Sequence, residues 1–456
     1  MSTPNVILIN CDDLGYGDLG CYGAEFQKTP AVDRLAAEGV RFTDFYVASP
    51  LCSPSRGALM TGCYPPRIGF AEFEGRGVLF PGQPVGLDPH EVTVARLLKE
   101  RGYATRIVGK WHCGDQPDFL PTRHGFDGYF GLPYSNDMGR QRRPGDAVTD
   151  FPPLPLLRDD AVVEQQPDQS SLTERYTEDA VRFIRENRSR NFFLYFAHMH
   201  VHLPHYVPER FLRSSRNGVY GAAVECIDWS VSVLLDELDR LGLAGNTLVA
   251  FTSDNGSNMR FGGSNGPLRG RKGSTWEGGQ RVPCVMRLPG TIPTGKTCAE
   301  VVTAMDFLPT FARLAGAEPP ADRTIDGRDV GALLADPESA RSPHEAFFYY
   351  AGRRLEAVRC GRWKLHVAKG RNRLRELYDL SVDVRESVNV AGAHPDVVAD
   401  LERRLAECRL DLGDALEGVE GRNCRAIGRV ADARPLTEYD ERHPFVVAMY
   451  DLPDCG

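Results

Sequence analysis

The chain has 456 residues, 42% of them hydrophobic and 25% charged, with a formal net charge of −8. That length buries a large core, as one big domain plus a smaller one, and the composition is ordinary for a soluble globular protein. The acidic balance argues against a general nucleic-acid binder but leaves room for a local positive pocket around an anionic substrate.

In chain order, "NVILIN" (Asn5 to Asn10) is a short apolar, β-branched run of the kind that forms a buried parallel strand. "TPAVDRLAAEGVRF" predicts a helix with Pro30 near its start and Gly39 at its end. "LCSPSRGALMTG" (Leu51 to Gly62) predicts another, with Pro54 in its first turn. "EVTVARLLKERGYATRIVG" reads as a helix and then a strand, and "TERYTEDAVRFIREN" with "NFFLYFAH" repeats the pairing. "YGAAVECIDWSVSVLLDELDRLGLAGNTLVAFTSDNG" repeats it again with a long amphipathic helix. This alternation predicts an α/β fold: a large, mixed, mostly parallel sheet flanked by helices. Pro144 to Ser170 is loop-rich and is placed near the site or an interface. Beyond residues 330–345 come short alternating segments such as "RRLEAVRCGRWKLHVA", then the helical "HPDVVADLERRLAECRLDLGDAL". The expected division is a catalytic α/β domain over 1–335 and a smaller C-terminal α+β domain over 336–456, with an antiparallel sheet and a helix. The tail beyond residue 420 carries no interpretable motif and is assigned to the active-site rim or a subunit contact.

No apolar run approaches the roughly 18 residues that span a bilayer, so no membrane partner is expected. "MSTPNVILIN" lacks the basic start of a signal peptide, which points to the cytoplasm. The twelve cysteines are scattered without a CxxC pair, the pattern of reduced, mostly buried thiols.

In open α/β sheets, ligands bind beyond the carboxyl ends of the strands. Asp12 and Asp13 follow one predicted strand directly, and Asp254 and Asn255 follow another. Either pair alone reads as a turn. Together they are hard oxygen ligands suited to Ca²⁺ or Mg²⁺ and poorly suited to Zn²⁺. Lys110 and His112 follow a third strand end, His198, His200 and His202 alternate after a fourth, and Lys272 sits in the Gly-rich "GRKGSTWEGGQR". Cys52 lies at the positive end of its helix, where an oxyanion is stabilised, and Arg56 one turn along reaches the same anion or the metal-bound oxygens. Three residues separate Cys52 from Arg56, one of them a proline without an N–H. They cannot build the phosphate cradle of a thiol phosphatase, so Cys52 reads as a precursor rather than as a working thiol.

"CSPSRGALMTG" resembles the signature of the type I sulfatases, in which C-x-P-S-R marks a cysteine oxidised to Cα-formylglycine. "NCDDLGYGDLGCYG", "LAAEGVRFTDFY", "GKWHCG", "GLPYSNDM", "FTSDNG", "GPLRGRKGSTWEGGQRVP" and "LYDLSVDVRESVN" resemble sulfatase segments in the family's order, several of them close to arylsulfatase A-like enzymes, over roughly residues 5–390. The resemblance implies an alkaline phosphatase-like fold and hydrolysis of a small anionic sulfate ester. It also implies one Ca²⁺ held by Asp12, Asp13, Asp254, Asn255 and residue 52. As hydrated formylglycine, residue 52 would be nucleophile as well as ligand, made by a separate formylglycine-generating enzyme. By the same resemblance Arg56 and Lys110 stabilise it and His112 contacts its second hydroxyl. His202 lies near the leaving-group oxygen, Lys272 binds the sulfate, and Ser135 helps position the sulfate or the diol. Asn136 departs from the family, standing where arylsulfatase A-like enzymes carry histidine; His198, His200 and His205 receive no family role. In the implied mechanism one hydroxyl of the gem-diol attacks sulfur and His202 or Lys272 protonates the departing oxygen. The other hydroxyl, deprotonated by His112, then expels sulfate as the aldehyde re-forms.

Three alternatives stand beside this reading. One is a phosphonate or phosphate monoester hydrolase on the same scaffold. The second is a zinc metallohydrolase built on His198, His200 and His202. The third is a non-enzymatic relative that binds sulfated ligands.

Overall fold

The computed structural model describes residues 3–140, 151–440 and 442–443. Five parallel strands form the centre of a ten-stranded sheet, in the order Thr247–Ser253, Asn5–Cys11, Phe192–Ala197, Ala104–Gly109 and Gly128–Gly131. Asn5–Cys11 is buried at every position, as a strand covered on both faces requires. Val6 and Leu8 point into one core and Ile7 and Ile9 into the other, following the two-residue period. The first core packs under the helices Cys52–Thr61, Val94–Glu100 and Phe307–Leu314, the second under Pro30–Ala37, Leu172–Glu186 and Gly218–Arg240.

The sheet edges depart from the simple alternation. Cys284–Arg287 joins antiparallel on one side. On the other, Pro155–Arg158 and Ala161–Gln165 form a hairpin in a stretch expected to be loop; the first part of that stretch, 144–150, lies outside the described residues. The helix Gly218–Arg240 is long and apolar enough to cross a membrane by length and composition, contrary to the expectation that no such run exists. Its apolar face is spent on the core instead, through Tyr220, Val224, Ile227, Val231, Leu234 and Leu238. The eleven cysteines among the described residues are all free.

The predicted antiparallel sheet consists of Phe347–Ala351, Arg354–Cys360, Trp363–Lys369 and Asn372–Asp379, with the helix Pro395–Leu412 packed on it through Val398, Leu401 and Leu405. The chain then leaves this sheet. Arg425 pairs with Glu91, Gly428–Arg429 pairs with Val85–Gly86, and the Arg434 amide donates to Gln116 Oε1. The tail is thus a strap across the large α/β layer.

Candidate active site

Asn5–Cys11 and Thr247–Ser253 pair in parallel register, ending with Cys11 opposite Ser253. The next residues, Asp12 and Asp254, therefore leave the sheet side by side. The Asp254 amide donates to the Cys11 carbonyl at 3.0 Å, and the Asp13 amide to Asp254 Oδ1 at 3.2 Å. Asn255 Nδ2 donates to Asp13 Oδ1 at 2.7 Å. Asn255 Oδ1 is fully buried and has no hydrogen-bond partner.

The helix Cys52–Thr61 is buried along its whole length, so its positive end faces these carboxylates rather than solvent. Cys52 Sγ lies 3.5 Å from Asp12 Oδ1. Ligand atoms of Asp12, Asp13, Cys52 and Asp254 all fall within 4.8 Å of one another. Three carboxylates and an orphaned amide oxygen make an oxygen donor set that fits a hard divalent cation.

Arg56 is also fully buried, its Nε donating to Asp254 Oδ2 at 2.8 Å and its Nη1 to the Lys110 carbonyl at 2.8 Å. It braces the carboxylates from below. Lys110 Nζ donates to Asp12 Oδ2 and, at 3.1 Å, to Ser135 Oγ. Lys272 Nζ donates to Asp13 Oδ2 at 3.0 Å. Lys110 reaches the site because Gly109 turns the chain at φ 110°, where a Cβ would meet the Ala197 carbonyl at 1.7 Å. His112 has φ 60° and does not continue an extended run, yet it lines the same cavity as Cys52. Its Nε2 donates to the Leu79 carbonyl at 3.0 Å, which leaves Nδ1 as an acceptor without a partner.

The electrostatics follow this layout. Burial raises Asp12, but the Lys110 ammonium, with His202, Arg56 and Lys272, outweighs it and holds the carboxyl well below the usual range. Burial first and the Asp12 charge second push Asp254 up to about 7 against Arg56. Burial pushes the Cys52 thiol far above its ordinary value despite Lys110 and Lys272, so the site does not favour a resting thiolate. Burial also drives His112 well below its ordinary value, with Lys110 adding to the effect; the ring is neutral.

His202 comes in beside this cluster, with Nε2 4.0 Å from Asp13 Oδ2 and the ring 3.4 Å from Ser135 Oγ. His202 Nδ1 lies 2.6 Å from the Leu203 carbonyl. An acceptor there requires Nδ1–H and leaves Nε2 facing the site. The expected face of three histidines does not exist. The strand stops at Ala197, and the following turn sends His198 Nε2 to Ser230 Oγ and His200 Nε2 to the Tyr206 carbonyl. No group of three histidine ligands forms among the described residues, and the zinc-hydrolase alternative falls with it. Asn136 likewise points away, donating to Gln169 Oε1 and the Pro204 carbonyl.

A cavity of about 760 Å³ opens above the cluster. Cys52, His112, Ser135, His202 and Lys272 line it. The sequence reading missed its walls. Phe80 and Phe151 stack with centroids 5.9 Å apart, Arg76 covers Phe80 at 4.2 Å, and Arg260 and Arg271 stand at the rim. These residues come from separate loops with no common spacing; only Arg271, next to Lys272, had a positional signal.

Comparison with known proteins agrees with this geometry. The family described as Sulfatase matches residues 4–317, and N-sulphoglucosamine sulphohydrolase, C-terminal, matches residues 271–411. Mouse (Mus musculus) steryl-sulfatase is 43% identical over 78% of this chain and 69% of its own. Human (Homo sapiens) arylsulfatase A is 40% identical over 90% of this chain and 88% of its own. The solved structure of Ps i-CgsB superposes with TM-score 0.81 and 30% identity, covering 91% of this chain and 96% of that one. The phosphonate monoester hydrolase of Agrobacterium radiobacter, at TM-score 0.64 and 20% identity over 89% of this chain and 95% of its own, shares the fold alone. This chain belongs to the sulfatase family and is a sulfuric ester hydrolase acting on sulfate esters.

Proposed function

We propose that residue 52 acts as formylglycine, made from Cys52 by a separate maturation enzyme, with one Ca²⁺ held by Asp12, Asp13, Asp254 and Asn255. The single observation carrying this is the convergence of the Asp12, Asp13 and Asp254 ligand atoms on Cys52, the buried N-terminal residue of a helix. Formylglycine supplies a hydrated aldehyde, one hydroxyl to attack sulfur and one through which the sulfate is later released. The cation supplies positive charge for the sulfate oxygens.

The chain's own residues do the rest. Asp12, Asp13 and Asp254 face three cationic side chains, Arg56, Lys110 and Lys272. With all three carboxylates ionised the protein charges of the site balance, so a bound divalent cation would leave it net positive for an anionic sulfate monoester. Lys110, Lys272 and Ser135 orient the sulfate. His202, anchored through Nδ1–H, presents Nε2 to the departing oxygen and gives it a proton as the imidazolium, protonated on both nitrogens, and the unpartnered Nδ1 of neutral His112 takes a proton beside residue 52. The leaving group lies along Phe80 and Phe151, with Arg76, Arg260 and Arg271 attracting the anionic substrate.

The test joins the mass of the tryptic peptide containing residue 52, metal analysis, and kcat/KM for an aryl sulfate against the matching phosphonate. Exchange of sulfur for oxygen, one calcium per chain and a preference for sulfate are expected. Active enzyme with an ordinary thiol and no divalent ion overturns the reading.

A further inference from the structure

The loop that carries Lys272 is held from three sides. The Lys272 amide donates to the Ser257 carbonyl at 3.0 Å and the Gly273 amide to the Pro50 carbonyl at 2.9 Å. These tie the loop to the metal-ligand strand end and to the segment before Cys52. The third side comes from the C-terminal antiparallel sheet. Lys364 Nζ, fully buried, donates to the Thr275 carbonyl at 3.0 Å and to Glu277 Oε1 at 2.8 Å. Thr275 Oγ1 donates to Glu356 Oε2 at 2.6 Å and accepts from Lys369 Nζ. Arg269 Nη1 donates to the Glu386 carbonyl, and the Glu277 amide to Glu386 Oε2, at 2.7 and 2.8 Å. Gly279 allows this closure, since a Cβ there would meet the Ser274 carbonyl at 1.8 Å.

From this geometry we infer that Lys364, with Glu277, Glu386 and Thr275, is a positioning device through which the C-terminal sheet sets the place of Lys272 in the active site. The inference rests on the proposed role of Lys272 at the sulfate. A buried ammonium bonded to a loop carbonyl three residues beyond Lys272 fixes the backbone there, because that carbonyl has left water and Lys364 replaces its solvation. The C-terminal sheet thereby contributes to catalysis without touching substrate.

The experiment is a double-mutant cycle on the matured, calcium-loaded enzyme, using an aryl sulfate and following kcat and KM separately. Lys364→Met is expected to lower kcat/KM by about 10-fold or more when Lys272 is present and by about 2-fold or less in Lys272→Ala, with Lys364→Arg recovering part of the loss. Equal losses in both backgrounds, or full activity of Lys364→Met, overturn the inference. If Lys364→Met does not fold, Thr275→Val carries the same cycle, since it removes only the hydroxyl bridge between Glu356 and Lys369. Should Lys272→Ala itself keep full activity, the role given to Lys272 fails instead, which separates the two outcomes.

Discussion

Two of the buried ionic networks among the described residues have the same number of charges. At the strand ends Asp12, Asp13 and Asp254 meet Arg56, Lys110 and Lys272; at the junction with the C-terminal sheet Asp44, Glu277 and Glu386 meet Arg281, Arg359 and Lys364. The second network is closed. Glu277 accepts from Tyr46, Tyr349, Lys364 and Arg281, and although burial raises its carboxyl, Lys364, Arg281 and Arg359 hold it well below the usual range. The first is left open. Asn255 Oδ1, Arg56 Nη2 and His112 Nδ1 have no hydrogen-bond partner, two carboxylates share one corner, and burial plus Asp12 push Asp254 up to about 7. Equal charge counts thus serve opposite ends: one network satisfies itself and fastens two layers, the other leaves bonding capacity unused, as the proposed cation and sulfate require.

Mutations sharpen the contrast, and the largest effect falls on Cys52. Cys52→Ala is expected to lower turnover by about 10⁴-fold or more while changing unfolding free energy by less than about 1 kcal/mol, as measured by steady-state rates and urea denaturation. A large loss of stability in that variant would erase the distinction between the networks. Glu277→Ala should do the reverse, costing about 3–5 kcal/mol because it strands buried cations; an unshifted urea midpoint would show that the junction is dispensable.

Calcium removal gives the next effect. At a concentration of about 100 times Kd the ion should stabilise the wild type by about 2.7 kcal/mol, seen as a rise in melting temperature, and should leave Asp254→Ala unmoved. Retained calcium in that variant would contradict the ligand set. His202→Ala should cost about 10²-fold with poor leaving groups and far less with 4-nitrophenolate; equal losses would remove its acid role. The smallest change is expected at the rim. Arg260→Ala should raise KM about 2- to 5-fold at low salt and less at high salt, a difference readable in the ionic-strength dependence of kcat/KM.

Much of the site was legible because its carboxylates sit at strand ends. Asp12 and Asp254 each follow a buried run directly, and parallel pairing brings such residues together whatever the rest of the chain does. The histidines show where this logic stops. Alternation over His198, His200 and His202 predicts one face only if the strand continues, and it ends at Ala197. Once the backbone turns, two of the three rings find separate partners in Ser230 and Tyr206. Asn136, which stands where arylsulfatase A-like enzymes carry histidine, likewise turns elsewhere: its side chain donates to Gln169 and to the Pro204 carbonyl.

By itself the amino-acid sequence determined the alternating layers, the carboxylates at the strand ends and the cysteine at the helix start, because periodicity and strand-end chemistry act over a few neighbouring residues. Only the tertiary structure decided that Arg76, Arg260 and Arg271 share a rim, that the tail from Arg425 returns to the large layer, and that Lys364 reaches the loop of Lys272. Those contacts join segments far apart in the chain, and their side-chain directions depend on turns and packing that no local pattern encodes.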